Sequence, residues 1–335
     1  MNQQVNNIWS LPTVEPAQGE GRSPEDIAKW RDLVRKVAGI ATASGIAKAE
    51  VARRAGMAEG TFSGWFSGKY NGRLDTTNTK VEQWLASVEE MDAMQRGIPT
   101  SPDYVETRTA REITQALAYA QMMPELVVIT FGAGQGKTVT CRHYANSRPH
   151  AYLCTMSPHT KTVQGMLLEV ASSLGITQAN PARLPRAIGD RLQRNGRKTL
   201  LIIDEAQNLK DEAIDQLRRL LDINECGIAL VGNDELYGRF ASRTDGPSYA
   251  QIKRRIGKRL MRLQPYAEDI TALIDAWGIE DAAARRLLIG IGHKPGALGQ
   301  IDKTLRLAGL AAYGDGVGIT LKHIEDAWRN RSVED

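Results

Sequence analysis

LVVITFGAGQGKT, residues 126–138, runs from a β-branched apolar segment straight into a glycine-rich turn that ends in lysine and threonine. That order is the context of a phosphate-binding loop. A strand delivers the chain to a tight turn whose backbone N–H groups, with the N-terminus of the next helix, converge on an anion. Gly134 and Gly136 let the turn curl, Lys137 is placed to reach the β- and γ-phosphates of ATP, and Thr138 to hold Mg²⁺ through its hydroxyl. Gly132, Gln135 and Val139 count as further nucleotide contacts. One slot departs from the pattern G-x-x-x-x-G-K-[ST], because Phe131 stands at the first glycine. Gly132 is expected to take over that glycine's role, so that replacing Phe131 with glycine would change nucleotide affinity only modestly. In isolation the stretch also admits a glycine-rich turn with a surface lysine.

The flanking chain bears on that choice. KTLLIIDEAQNL (198–209) sets Asp204 and Glu205 at the C-terminal tip of a second apolar run. An acidic pair there is costly unless a cation faces it. A Mg²⁺-nucleotide meets that need: Asp204 would bind the metal largely through water, and Glu205 would polarise the attacking water. A helix-capping pair is the bland alternative. GIALVGN (227–233) ends in Asn233, whose amide would orient the lytic water or sense the γ-phosphate, unless it is a plain turn amide. IKRRIGKRL (252–260) reads as an arginine-rich helix. Arg254 or Arg255 would act as a finger on a neighbouring subunit's nucleotide, and Lys253, Lys258 and Arg259 would face DNA phosphates. A solvated helix face is the alternative.

Apolar runs at 126–130, 150–156, 199–204 and 227–233 alternate with helical patterns, which implies a parallel α/β sheet covered on both faces. The expected organisation is a mobile arm over 1–24, a helical domain over 25–90, a linker over 91–104, an α/β core over 105–264 and a helical lid over 265–335. In the helical domain, KAEVARRAGMAEGTFSGWFSG (48–68) has the make-up of a helix-turn-helix. Ala52 permits close helix approach, Gly56 supplies a positive φ, and Phe62 and Trp65 join Val51 and Ala55 on the inner face. Glu59, Thr61 and Ser63 face outward, and Lys48, Arg53, Arg54, Lys69 and Arg73 are candidate phosphate contacts. The outer face lacks Arg, Asn and Gln, the usual base readers, so any DNA binding should show little sequence preference. A bundle that binds no DNA is the alternative. Three scattered cysteines, with no C-x-x-C spacing, argue against a zinc site and a disulfide framework. No signal-peptide pattern and no membrane-length apolar run occur, so a cytoplasmic protein is expected. The net charge of +4 permits a nucleic-acid partner without requiring one.

Taken together, the P-loop, the DEAQ acidic pair, Asn233, the basic segment and the helical C-terminus resemble the AAA+ ATPases. With DYVETRTAREITQALAYAQ (103–121) ahead of the first strand and a helix-turn-helix before it, the chain is similar to the Mu B family of transposition ATPases. That resemblance implies ATP and Mg²⁺ as cofactors and a homo-oligomeric helical filament on double-stranded DNA. It also implies stimulation of a Mu A-like transposase, and hydrolysis coupled to release. Lys137 and Thr138 match the loop positions, Asp204 and Glu205 the Walker B pair, Asn233 sensor 1, and Arg254 or Arg255 the finger. Gly299, in GALGQ (296–300), stands where many AAA+ lids carry a sensor-2 arginine. A helicase-loader or initiator ATPase, and a helix-turn-helix transcription regulator with a nucleotide switch, are the competing readings.

Overall fold

A computed structural model describes residues 9–178, 180–195, 198–242, 252 and 254–331, the side chains at 95, 96, 237 and 240–242 excepted. The chain divides into two units, Met1–Ile98 and Pro99–Asp335. In the first, Ser23 opens helix α1 (Pro24–Ser44) with a reciprocal capping box to Asp26. Helices α2 (Lys48–Arg54) and α3 (Glu59–Phe66) form the helix-turn-helix, and Gly56 takes φ +64° in the turn between them. Ala52, Phe62 and Trp65 are buried as their pattern requires. Helix α4 (Leu74–Gly97) packs along α1. The buried indole N–H groups find acceptors: Trp30 donates to the Trp65 carbonyl at 2.7 Å, and Trp65 to Asn78 Oδ1 at 2.9 Å.

Two expected boundaries change. The part of the arm that is described, from residue 9, is mostly exposed but is anchored in this unit's core by Trp9. Trp9 is buried, donates its ring N–H to the Ile46 carbonyl at 2.9 Å, and sets its edge against Phe66. A single aromatic in a Pro- and Gln-rich stretch carries no periodicity, which is why the pattern missed it. Residues 1–8 lie outside the described residues. The linker expected at 91 begins later, because α4 continues to Gly97.

The second unit opens with α5 (Arg108–Met122), capped by Thr107, and then β1 (Leu126–Phe131). Next come α6 (Lys137–Ser147), β2 (Ala151–Thr155), α7 (Val163–Ser173), α8 (Leu184–Asn195) and β3 (Leu200–Asp204). Helix α9 (Asp211–Asn224), β4 (Gly227–Gly232), α10 (Asp234–Ser242) and β5 (Ile256–Arg262) complete the sheet layer. The strands run parallel in the order β2-β3-β4-β1-β5. β1, β3 and β4 are buried along their whole length, as strands covered on both faces must be. The C-terminal helices α11 (Ala267–Ala276), α12 (Ala282–Gly292), α13 (Ala297–Gly314) and α14 (Leu321–Arg331) share a separate apolar cluster around Ile270, Leu288, Ile301 and Ile324. No described helix is long and apolar enough to cross a membrane.

The basic segment is not the expected helix where it meets the sheet. Residues 256–262 form β5, paired with β1 from Leu126↔Ile256 to Phe131↔Arg262. Half-buried Ile256, Lys258, Leu260 and Arg262 alternate with exposed Gly257, Arg259 and Met261. An edge strand tolerates such charge, and the charge obscures the period of two in the sequence.

Candidate functional site

The glycine-rich loop takes its shape from close backbone approaches. β1 ends at Phe131, whose ring is fully buried beside Cys141 and Tyr144. The first-glycine slot is therefore a core strand position. A glycine there would open a cavity, so its direct cost falls on the stability of the core, a separate quantity from the nucleotide affinity expected to change modestly. Gly132 does meet a steric demand: a Cβ would lie 2.3 Å from the Leu263 carbonyl oxygen. Gly134 and Gly136 adopt φ +72° and +82°. Gly136 caps α6 with no side chain, which leaves that helix's first N–H groups for an anion. The Gln135 side chain does not line the cavity: it donates to the Leu263 carbonyl at 2.7 Å and braces the loop.

Lys137 curls back to donate to the carbonyls of Phe131 and Gly132 at 2.8 and 2.9 Å. Burial lowers its pKa, against the opposing pull of Glu205 and Asp204. β4 lies between β1 and β3, and across it Thr138 Oγ1 donates to Asp204 Oδ2 at 2.7 Å. Asp204 is fully buried, and desolvation raises its pKa although the Thr138 hydroxyl works the other way. Glu205 sits at the strand tip in the left-handed region, φ +55°, with its carboxylate held by the Gln207 amide. Asn233 follows β4 directly, and its Oδ1 accepts the backbone N–H of Glu235 at 3.1 Å, so it also caps α10. Hydroxyl and carboxylate oxygens paired beside a buried ammonium suit a Mg²⁺-bound phosphate ester. The residues present fit that group.

A cavity of about 490 Å³ brings these groups together: Gly134, Gly136, Lys137, Thr138, Val139, Glu205 and Asn233 all line it. Of its other wall, the lid at Gly299 was expected and the segment around Tyr104 was not. Tyr104, Val105 and Thr107 line it from the segment assigned to a linker or a plain lead-in helix, and Leu298, Gly299 and Asp302 from the lid. Tyr104 stacks on His143 of α6 at 3.7 Å between ring centroids, which fixes that segment beside the loop. The only sequence signal was an aromatic among prolines, too sparse to assign. Gly299 meets the loop backbone directly: its N–H donates to the Gly134 carbonyl at 3.0 Å.

The finger candidates lie at the start of β5, at the sheet end opposite the loop. Arg254 is exposed, and Arg255 pairs with Asp222 of α9 at 3.1 Å. Lys253 lies outside the described residues. Lys258 is half-buried and Arg259 exposed, both on the edge strand.

In the helix-turn-helix unit most candidate cations already have partners. Arg53 and Arg54 both bond Glu50, at 2.6 and 2.7 Å, which holds that carboxyl down at a pKa of about 2. The Lys48 ammonium lies over the Phe66 ring at 4.6 Å. Arg73 pairs with Asp75 at 2.6 Å. Thr61 is half-buried, while Glu59, Ser63 and Lys69 are exposed. Acidic and basic residues balance over 1–98, so the chain's positive excess belongs to the second unit.

Both matching family profiles fall within the second unit. A family profile described as "Mu B transposition protein, C terminal" matches residues 254–330, and one described as "AAA domain" matches 123–240. The chain is 30% identical over 285 residues to the ATP-dependent target DNA activator B of Escherichia phage Mu, covering 85% of this chain and 90% of that protein. It is 32% identical over 278 residues to the Mu-like prophage FluMu DNA transposition protein B of Haemophilus influenzae, covering 81% of this chain and 94% of that one. Among solved structures, Cdc6p from Pyrobaculum aerophilum matches with a TM-score of 0.53 at 17% identity, over 70% of this chain and 71% of that chain. The Aeropyrum pernix Orc1 protein in complex with DNA matches with a TM-score of 0.51 at 17% identity, over 68% and 66%. Both likenesses establish a shared fold.

Proposed function

Because this chain belongs to the Mu B family of ATP-dependent target DNA activators, we propose that it binds ATP and Mg²⁺ at residues 132–139, assembles on double-stranded DNA in the host cytoplasm, and delivers that DNA to a transposase. Hydrolysis loosens the assembly. The observation that carries this reading is the 2.7 Å contact between Thr138 and Asp204, with Glu205 and Asn233 opening onto the same cavity. A domain that only bound nucleotide would have no use for a second carboxylate poised beside the first.

In this reading each residue has one task. Lys137 exchanges its two carbonyl partners for phosphate oxygens. Thr138 and Asp204 would hold Mg²⁺, largely through water, and the ion would supply charge neutralisation at the phosphates. Glu205 accepts a proton from the attacking water, and the Asn233 amide orients that water. The finger comes from a neighbouring subunit, since Arg254 and Arg255 stand at the far end of their own sheet. Arg254 is the stronger candidate, because Arg255 is engaged by Asp222. DNA is held through phosphates by Lys48, Arg53, Arg54, Lys69, Lys258 and Arg259, with Thr61 and Ser63 on the short recognition helix, and little base reading is expected.

Lys137→Ala should abolish nucleotide binding, and Glu205→Gln should keep binding while stopping turnover. If the Glu205→Gln chain hydrolyses ATP at the unsubstituted rate, its role as the base is wrong. The initiator-type alternative draws only on the shared fold.

A further inference from the structure

The lid touches the phosphate loop through backbone, and an arginine at the end of the last described helix braces that contact. A Cβ built on Gly134 would lie 1.8 Å from the Gly296 carbonyl oxygen, so loop and lid are in direct contact at that point. Gly299 adds its N–H bond to the Gly134 carbonyl at 3.0 Å. Gly296 holds φ +91°, and the Gln300 side chain folds over it: a Cβ on Gly296 would meet Gln300 Cγ and Nε2 at 2.9 Å. Gln300 also donates to the Pro295 carbonyl at 3.2 Å. The turn that meets the loop is thus shaped by Gln300.

Gln300 is in turn gripped by Arg331. The guanidinium donates to the Gln300 carbonyl at 2.9 Å, to Gln300 Oε1 at 2.7 Å and to Thr304 Oγ1 at 2.5 Å. Thr304 is fully buried and donates to the same Gln300 carbonyl at 2.8 Å. One planar guanidinium therefore joins α14 to Gln300 and Thr304, one turn apart on α13, by three bonds, a geometry that a lysine cannot reproduce.

We infer that Arg331 is a positioning residue for nucleotide binding: it sets the first turn of α13, and through Gln300 and Gly296 it holds the lid against Gly134. At Gly299, where a Cβ would stand 3.4 Å from the Gly134 Cα, the lid meets the loop by backbone and brings no charge. The inference rests on residues 132–139 being the nucleotide site.

The test uses the full chain, a fluorescent ATP analogue for equilibrium binding, and steady-state ATPase kinetics. Arg331→Ala should bind nucleotide roughly tenfold more weakly, the size expected when charge-assisted bonds that order the lid are lost. KM should rise in step, with kcat within about twofold. Arg331→Lys should recover part of the loss, and Arg329→Ala, on the exposed face of the same helix, should change nothing. If Arg331→Ala does not fold, Gln300→Ala removes the side-chain bond of that brace and the amide that folds over Gly296, and should weaken binding in the same direction. Unchanged affinity in these variants, an equal loss in Arg329→Ala, or a fall in kcat at constant KM would overturn the inference. Binding that survives Lys137→Ala would instead overturn the nucleotide-site reading on which it stands.

Discussion

Phe131→Gly restores the glycine that the common loop pattern carries, and it should damage the protein. The ring is fully buried at the end of β1, packed with Ile113, Cys141, Tyr144 and Val231. Truncating a buried phenylalanine to alanine costs about 3–5 kcal/mol, and glycine in a strand adds roughly 0.5–1 kcal/mol. The sum, about 4–6 kcal/mol, is a large share of the ~5–15 kcal/mol by which domains are stable. For a unit of this size it lowers the melting temperature by ~10–20 °C. Phe131→Leu keeps most of the volume and should cost only about 1–2 kcal/mol. The assay is thermal and urea unfolding by circular dichroism, with nucleotide binding measured at low temperature where both variants are folded. The two units can unfold separately, so nucleotide protection identifies which transition belongs to residues 99–335. Unfolding of Phe131→Gly within about 1 kcal/mol of the parent, or tighter ATP binding, would refute the reasoning.

Other perturbations follow from the charges. Asp204 has its pKa raised by burial, so its ionised form destabilises the nucleotide-free fold, and stability falls as pH rises from the unfolded value through the raised one. Asp204→Asn should therefore raise nucleotide-free stability at neutral pH, lose that gain in acid, and abolish Mg²⁺-dependent binding; calorimetry at several pH values checks all three. Glu50→Gln should free Arg53 and Arg54 from their shared partner, tighten DNA binding, and steepen its salt dependence by up to ~2 in log–log slope, as read by fluorescence anisotropy. Tyr104→Ala should weaken nucleotide binding severalfold, because the stack on His143 fixes one wall of the cavity; an unchanged affinity in titration would remove that wall from the site.

Much of this was legible in the sequence because the signals were local. A glycine that needs a positive φ, as at 56, 134 and 136, is visible wherever turn chemistry dominates. Fully buried strands such as β3 and β4 read as unbroken apolar runs. The acidic pair after β3 stands out because carboxylates are rare at the tip of such a run. What escaped was decided by partners distant in the chain. β5 is a strand because β1 offers it an edge, and its lysines and arginines mask the alternation. Trp9 is core because Ile46 and Phe66 receive it. Tyr104 belongs to the cavity because His143, one helix later, stacks on it. Gly299 reads in sequence only as a position without a cation, and its backbone bond to the loop needs Gly134 as partner to be seen.

In the proposed function, ATP makes this chain a DNA-bound assembly and hydrolysis undoes it. Electron microscopy of the full chain with duplex DNA and Mg²⁺, comparing ATP with ADP, tests it most directly. ATP should give continuous protein-coated duplexes, made persistent by Glu205→Gln, and ADP should leave bare DNA. Equal coating with either nucleotide, or none with ATP, would contradict the account.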